Sequence, residues 1–264
     1  MTIHALISCS KSKSVPTDKN LVWKKETSLK SWAKSWEDAK IRTPAKILYT
    51  GDELEKQLRV IELHDNCRPY IISAGAGLID SQHLIPSYEA TFVGNIGPSY
   101  KSWPRLPEGG LERLNLSKGD LIVTFAPPQY HRALLEDPNF KKLAPRMVVS
   151  SLSPLAPYAG HAVKTHPRSR EVLGVASKGL HTEFFRIYLE EGKKGMENLY
   201  KMATNLPPLP NRRKVDDGEL REYILSAPED VKRSITRTVD YIRNGCGISA
   251  IDTRIRAILL EIRN

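Results

Sequence analysis

The chain has 264 residues, a formal net charge of +10 and a pI near 9.4, with 40% hydrophobic and 27% charged residues. That length allows one substantial core plus a smaller appendage. No apolar run approaches the ~18 residues of a membrane span and no cleavable signal pattern follows Met1, so a cytoplasmic protein with no membrane partner is expected.

The cysteines, Cys9, Cys67 and Cys246, are odd in number and far apart, which suggests neither a disulfide framework nor a Cys-x-x-Cys metal site. Residues 4–7 are an apolar run that predicts a first strand, opening into a loop of Ser8, Cys9, Ser10, Lys11, Ser12 and Lys13. A helical or partly helical segment is expected over 21–40, where Trp32 and Trp36 share a face with Leu29. That face reads as core packing; the rival reading is an aromatic, basic surface on which nucleic-acid bases stack. Leu54, Leu58 and Ile61 predict a helix over 51–63, with Asp52, Glu53 and Glu55 complementing its dipole.

The stretch 69–92 holds most of the chemistry. Tyr70, Ile71 and Ile72 predict a buried strand ending at Ser73, and Gly75 and Gly77 in the following loop let a ligand approach the backbone closely. Past them come Asp80, His83, Tyr88 and Glu89, groups able to carry protons or bind a polar substrate. Residues 94–110 read as a long loop whose Tyr100, Trp103 and Arg105 suit a substrate lid or a base-binding wall. A strand over 120–125, a helix over 130–135 and a strand over 146–150 continue the alternation, which argues for an α/β fold with a parallel sheet and sites at the strand carboxyl ends.

His161, His166 and His181 match no compact metal-ligand spacing, so no metal is expected there. With Lys164, Arg168, Arg170 and Lys178 they read as a phosphate-contacting loop. A helix beginning at 182 should pack on the sheet through Phe184, Phe185, Ile187 and Tyr188. The proline-rich run 205–211 marks a boundary between an α/β domain, 1–205, and a small helical domain, 206–264. In the latter, three helices are expected over 219–226, 228–243 and 248–262. The last two have a helix-turn-helix look, with Arg254 and Arg256 available to DNA. With eleven basic and nine acidic residues, this tail reads equally as a packing or dimerising bundle.

Residues 1–50 carry ten Lys/Arg against four Asp/Glu, whereas 51–100 carry three against seven. A basic margin beside an acidic segment suits an enzyme acting on nucleic acid, although a solvated lysine face gives the same counts.

The segments ISCSKSK at 7–13, LYTG at 48–51, and SAGAGLID with IPSYEATF at 73–80 and 85–92 resemble the YaaA-like superfamily, over roughly the first 100 residues. Ala76 stands where that family usually has an aromatic residue. The resemblance implies DNA binding and a mononucleotide-binding α/β fold similar to that of uracil-DNA glycosylases. Phage-defence glycosylases acting on modified cytosine look like relatives. Ser153-Pro154-Leu155 is similar to part of the second active-site motif of uracil-DNA glycosylases, but Ser151 replaces the histidine that opens it, and SCSKSK does not match the carboxylate-bearing first motif.

The expected activity is therefore a DNA N-glycosylase excising a modified base from duplex DNA, with no cofactor. Asp80 and Glu89 are its candidate carboxylates, because cleavage builds positive charge on the sugar. Ser8, Cys9, Ser73, Gly75, Gly77 and Ser153 are expected to line the substrate site, with Tyr88, Tyr100 or Trp103 stacking on a flipped base. Lys11, Lys13, His166, Arg168, Arg170, Arg254 and Arg256 are the expected DNA contacts. Two other classes remain open, a non-catalytic DNA-binding module and a base-exchange enzyme acting on free nucleosides or nucleotides.

Overall fold

A computed structural model of the protein describes residues 1–93, 96–208 and 211–263. Residues 94–95 of the long loop expected over 94–110, and residues 209–210 of the proline-rich run, lie outside the described residues. The chain divides into two compact units, Met1–Asn205 and Leu206–Asn264.

The first unit contains strands β1 (Ile3–Ser8), β2 (Thr43–Pro44), β3 (Cys67–Ser73), β4 (Gly77–Asp80), β5 (Leu84–Ile85), β6 (Leu121–Thr124), β7 (Met147–Ser150) and β8 (His161–Val163). Its helices are α1 (Leu29–Asp38), α2 (Ala45–Leu48), α3 (Asp52–Glu62), α4 (Pro128–Leu135), α5 (Phe140–Leu143), α6 (Ser169–Leu173) and α7 (Leu180–Thr204). Six strands form one sheet in the order β4-β3-β1-β6-β7-β8, while β2 and β5 pair separately. All neighbours in the six-stranded sheet are parallel except β4, which runs antiparallel to β3 at the edge.

The central position of β1 follows from its composition. Ile3, His4, Ala5, Leu6 and Ile7 are all buried, so both faces of the run are covered, and all but His4 are apolar. The last four residues of β3 and the first three of β7 are buried in the same way. Counted among themselves, the parallel strands run 2-1-3-4-5, a doubly wound order in which the direction of crossover reverses between β1 and β6.

α1 is shorter than expected. Ser28 accepts from the Ser31 amide and the Ser31 hydroxyl accepts from the Ser28 amide, a reciprocal cap that starts the helix there. Upstream, Val22 forms a parallel bridge with Glu89, which holds the backbone extended. Trp32 and Trp36 are both buried, so their shared face is core and not an exposed stacking surface. α3 buries Leu54, Leu58 and Ile61 against β1, β3 and α7. α7 is broken at Gly192, whose φ of 63° lies in the left-handed region. Its first half carries Phe184, Phe185 and Tyr188, whose rings meet that of Phe125 edge-on at 5.8, 5.2 and 6.0 Å.

The second unit contains helices α8 (Asp217–Leu225), α9 (Glu229–Lys232), α10 (Ile235–Asp240) and α11 (Asp252–Arg263), and the parallel strand pair β9 (Arg213–Lys214) and β10 (Ile248–Ser249). Leu220, Ile224, Ile242, Ile248, Ile255 and Leu259 form its core. The connection from α10 to α11 passes through a π-helical turn, Tyr241–Gly245, and then β10. That corrects the helix-turn-helix expectation, because the motif needs a turn of about 3–4 residues.

Candidate active site

The carboxyl ends of β1 and β3 open onto a crevice of about 470 Å³, lined by Cys9, Ser10, Lys11, Lys13, Thr17, Ala74, Glu89, Ala90, Thr91, Val93, Ile96 and Tyr130. Tyr130 comes from α4, which follows β6, so the crevice lies at the reversal point between β1 and β6 where open α/β sheets take their ligands. Cys9 ties the two sides together: its carbonyl accepts from the Tyr130 hydroxyl at 3.3 Å, and its Sγ is 3.6 Å from that hydroxyl. Burial and the neighbouring Cys9 push the Tyr130 phenol far up, so it stays protonated.

The charged walls are fixed by backbone pairing. Glu89 is exposed, but its amide donates to Leu21 O at 2.8 Å and its carbonyl accepts from the Trp23 amide at 2.8 Å. Lys13 forms an antiparallel bridge with Tyr49, and the flanking bonds Ser14 N to Leu48 O and Thr50 N to Ser12 O hold the Ser/Lys loop. Lys13 Nζ donates to Lys11 O at 3.3 Å and stands over the Tyr88 ring, 4.9 Å from its centroid. Burial pushes the Lys13 amine below its ordinary range, an effect partly offset by its neighbours Cys9 and Glu89. Lys11 is exposed.

Beneath the crevice, three buried hydroxyls close a ring. Tyr49 donates to Ser73 Oγ at 3.3 Å, the Tyr49 and Tyr88 hydroxyls are 2.5 Å apart, and Ser73 Oγ bonds the Tyr88 hydroxyl. Ser73 Oγ also accepts from the amides of Gly75 and Ala76 at 3.3 and 3.0 Å. A one-way ring, Tyr49 to Ser73 to Tyr88 to Tyr49, uses each hydroxyl proton once. Burial pushes both phenols up, which keeps them neutral donors.

This arrangement corrects several expected roles. Gly75 and Gly77 do not admit a ligand. A Cβ at Gly75 would stand 2.5 Å from Tyr88 Cε2, and Gly77, with φ of 107°, packs on the Gly109 carbonyl in a tight β3–β4 hairpin. Tyr88 is 1% exposed and Trp103 is fully buried, with its Nε1 donating to Ser73 O at 2.8 Å, so neither can stack on a base. Ser73 is fully buried and does not line the crevice, which corrects its expected substrate contact.

Asp80 is also displaced. The hairpin reverses the chain, so Asp80 pairs with Tyr70, away from the carboxyl end of β3, and accepts from the Gln82 amide at 2.8 Å. It does not line the crevice with Glu89. His83 instead meets Glu108, Nε2 to Oε2 at 2.9 Å, and Trp36 Nε1 donates to the same carboxylate at 3.0 Å. Ser153 bonds Nδ1 of buried His131 at 2.7 Å, and His131 Nε2 is 3.1 Å from Thr124 Oγ1. That chain ties β6 to the loop after β7 and uses the Ser153 hydroxyl internally, which corrects its expected substrate contact.

Ser8 lines a second hollow of about 340 Å³ with Ser10, Ser12, Thr50, Gly51 and Lys178. Tyr100 lines a third, of about 490 Å³, with Trp23, Lys25 and Phe92. Phe92 separates this aromatic hollow from the crevice, its ring 5.3 Å from Tyr100 and 5.5 Å from Tyr130. His166 Nδ1 accepts from the Arg168 amide, Arg168 pairs with Glu171 at 2.8 Å, and Arg170 donates to Ser177 Oγ at 2.8 Å. These three hold the α6 region together, and none lines the crevice. Arg254 pairs with Asp217 and donates to Val215 O at 2.8 Å, whereas Arg256 is exposed.

Among the described residues, no group of three or more His, Cys, Asp and Glu side chains is placed to hold a metal ion, and no helix is long and apolar enough to cross a membrane. No family model matches the chain, and no curated protein or solved structure is significantly similar to it.

Sequence reasoning missed Tyr130, Thr17, Thr91 and Ala74 as crevice residues. Tyr130 had a usable signal, since it follows the Pro127-Pro128 turn after a strand beside β1.

Chemically, the crevice offers one carboxylate, two amines, a thiol and a phenol. Its volume lies within the ~300–1,000 Å³ of small-molecule sites.

Proposed function

We propose that the protein is a DNA N-glycosylase that takes a modified base into the crevice at the β1/β6 reversal and hydrolyses its bond to deoxyribose. The observation that carries this reading is the presence of Glu89, Lys11 and Lys13 in the lining of one crevice at the strand carboxyl ends. Departure of the base leaves positive charge on the sugar, and a fixed carboxylate stabilises that charge or orients the attacking water. Lys11, exposed at the rim, suits the phosphate beside the extruded nucleotide. Phe92 and Tyr100 supply aromatic faces in the adjoining hollow for a neighbouring base. The resemblance of residues 7–13, 48–51 and 73–92 to the YaaA-like superfamily supports the same substrate class, and hypermodified cytosine of phage DNA is the base it favours.

Incubation with duplexes carrying modified cytosines, phage genomic DNA included, followed by alkali, tests the proposal. Strand breaks at the modified positions, lost in Glu89→Gln, are expected. Salt-sensitive binding without breaks on any such DNA would overturn it in favour of a binding module. Base release from a free mononucleoside without DNA would overturn it in favour of a base-exchange enzyme.

A further inference from the structure

We propose that the Lys13 amine condenses with the aldehyde of an abasic deoxyribose, so that the crevice also cuts the DNA strand on the 3′ side of the abasic site. The proposal rests on the N-glycosylase reading for its substrate, since base hydrolysis leaves a sugar whose open form carries an aldehyde at C1′.

The geometry selects Lys13. Its Nζ lies in the crevice that Glu89 also lines, and is held by Lys11 O at 3.3 Å and by the face of Tyr88. Backbone bonds on both sides pin the loop that carries it. A lysine serves as a carbonyl nucleophile when it is positioned and partly desolvated, because only the free amine attacks. Burial favours that form, while the Tyr88 face favours the ammonium, so the amine at rest can be a cation that loses its proton as a substrate fills the crevice.

The free amine adds to C1′ and the adduct loses water, giving a protonated imine. Glu89, which lines the same crevice, takes the proton from C2′, and the electron pair moves to form the C2′–C3′ double bond as the C3′–O bond breaks. The phosphate leaves as the 5′ end of the downstream fragment. Water then hydrolyses the imine, releasing the unsaturated aldehyde on the upstream fragment and restoring the amine. The sequence is an elimination and requires no oxidant or reductant.

The test supplies duplex DNA with a preformed abasic site, so it does not depend on base excision. Borohydride, which reduces an imine to a stable amine, is added to the full-length protein with this duplex, and the cross-linked peptide is mapped by mass spectrometry. The expected result is a protein–DNA adduct at Lys13, absent in Lys13→Arg and retained in Lys118→Arg, an exposed lysine outside the crevice lining. Without borohydride, wild-type protein should nick the strand, at a rate rising with pH to a midpoint below 10.5, the ordinary lysine value. An adduct mapped to Met1 or another lysine, or one undiminished in Lys13→Arg, overturns the proposal even if that variant folds poorly, because mapping uses the wild type. Base release without trapping refutes the lyase step and leaves the glycosylase reading standing. Trapping at Lys13 without base release on modified DNA does the reverse.

Discussion

Lys13 Nζ stands 4.9 Å from the centroid of the Tyr88 ring, over its face, while the Tyr88 hydroxyl bonds Ser73 Oγ and lies 2.5 Å from the Tyr49 hydroxyl. One side chain therefore backs the amine of Lys13 and belongs to the buried hydroxyl ring. Tyr88→Phe separates the two roles. It keeps the ring beneath Lys13 but leaves Ser73 and Tyr49 each short of a partner, at a cost of about 1–3 kcal/mol. Urea denaturation should show the lower midpoint, while DNA affinity stays at the wild-type level. An unchanged midpoint would mean that water replaces the phenol without loss.

Glu89 and Asp80 should behave oppositely despite their proximity in sequence. Glu89→Gln alters an exposed side chain, so stability should change by less than about 0.5 kcal/mol. Base release should slow by about 10²–10³-fold, the typical cost of deleting one electrostatic contact to a charged transition state. Asp80→Asn should leave the rate unchanged, since an asparagine oxygen can still accept from the Gln82 amide. Single-turnover kinetics on a modified duplex reads both variants, and a slowed Asp80→Asn would move the chemistry away from the crevice.

The contrast between these two carboxylates marks how far the sequence was legible. Continuous apolar runs identified β1, β3, β6 and β7, and spacing identified α3, because burial on both faces or on one stripe leaves a local pattern. What fills the space beside a glycine leaves none. Gly75 and Gly77 read as room for a ligand, yet the Tyr88 ring and the Gly109 carbonyl occupy that room. The reversal at the β3–β4 hairpin likewise sends Asp80 back along the sheet, and only strand pairing reveals that direction. Tyr130 and Glu89 are 41 residues apart and line one crevice because the sheet places β6 beside β1. The basic residues were identified individually, but their employment was not. Arg168 is bound to Glu171 and Arg254 to Asp217, partners that charge counting cannot assign.

His131 should make the first unit acid-sensitive. Burial, and then the nearby His181, push its imidazole down to about 3 from an ordinary 6.5. The folded protein therefore keeps it neutral at a pH where the unfolded chain has already taken up a proton. Stability attributable to this group is full above 6.5 and falls as pH drops from 6.5 towards 3. In that window the slope approaches about 1.4 kcal/mol per pH unit for one proton. His131→Gln, which can still bond Ser153 and Thr124, should flatten the profile relative to wild type while lowering stability at neutral pH. Parallel profiles for the two proteins between pH 4 and 6.5 would show that the imidazole protonates in the folded state.

Arg254 and Arg256 lie two residues apart on α11 and should separate grip from structure in the second unit. Arg254 is held by Asp217 and donates to the carbonyl of buried Val215. Loss of that charged donor costs about 1–3 kcal/mol. Arg254→Gln should therefore lower the thermal midpoint of the full-length protein and leave the salt dependence of DNA binding unchanged. Arg256 is exposed, so Arg256→Gln should leave the midpoint unchanged. If α11 lies along DNA, the slope of log K against log salt becomes shallower by about 0.9 for this one lost phosphate contact. Binding isotherms for both variants across a range of salt decide the matter. A shallower slope in Arg254→Gln would mean that the Asp217 pair opens on DNA, and equal slopes in all three proteins would place the phosphate contacts outside α11.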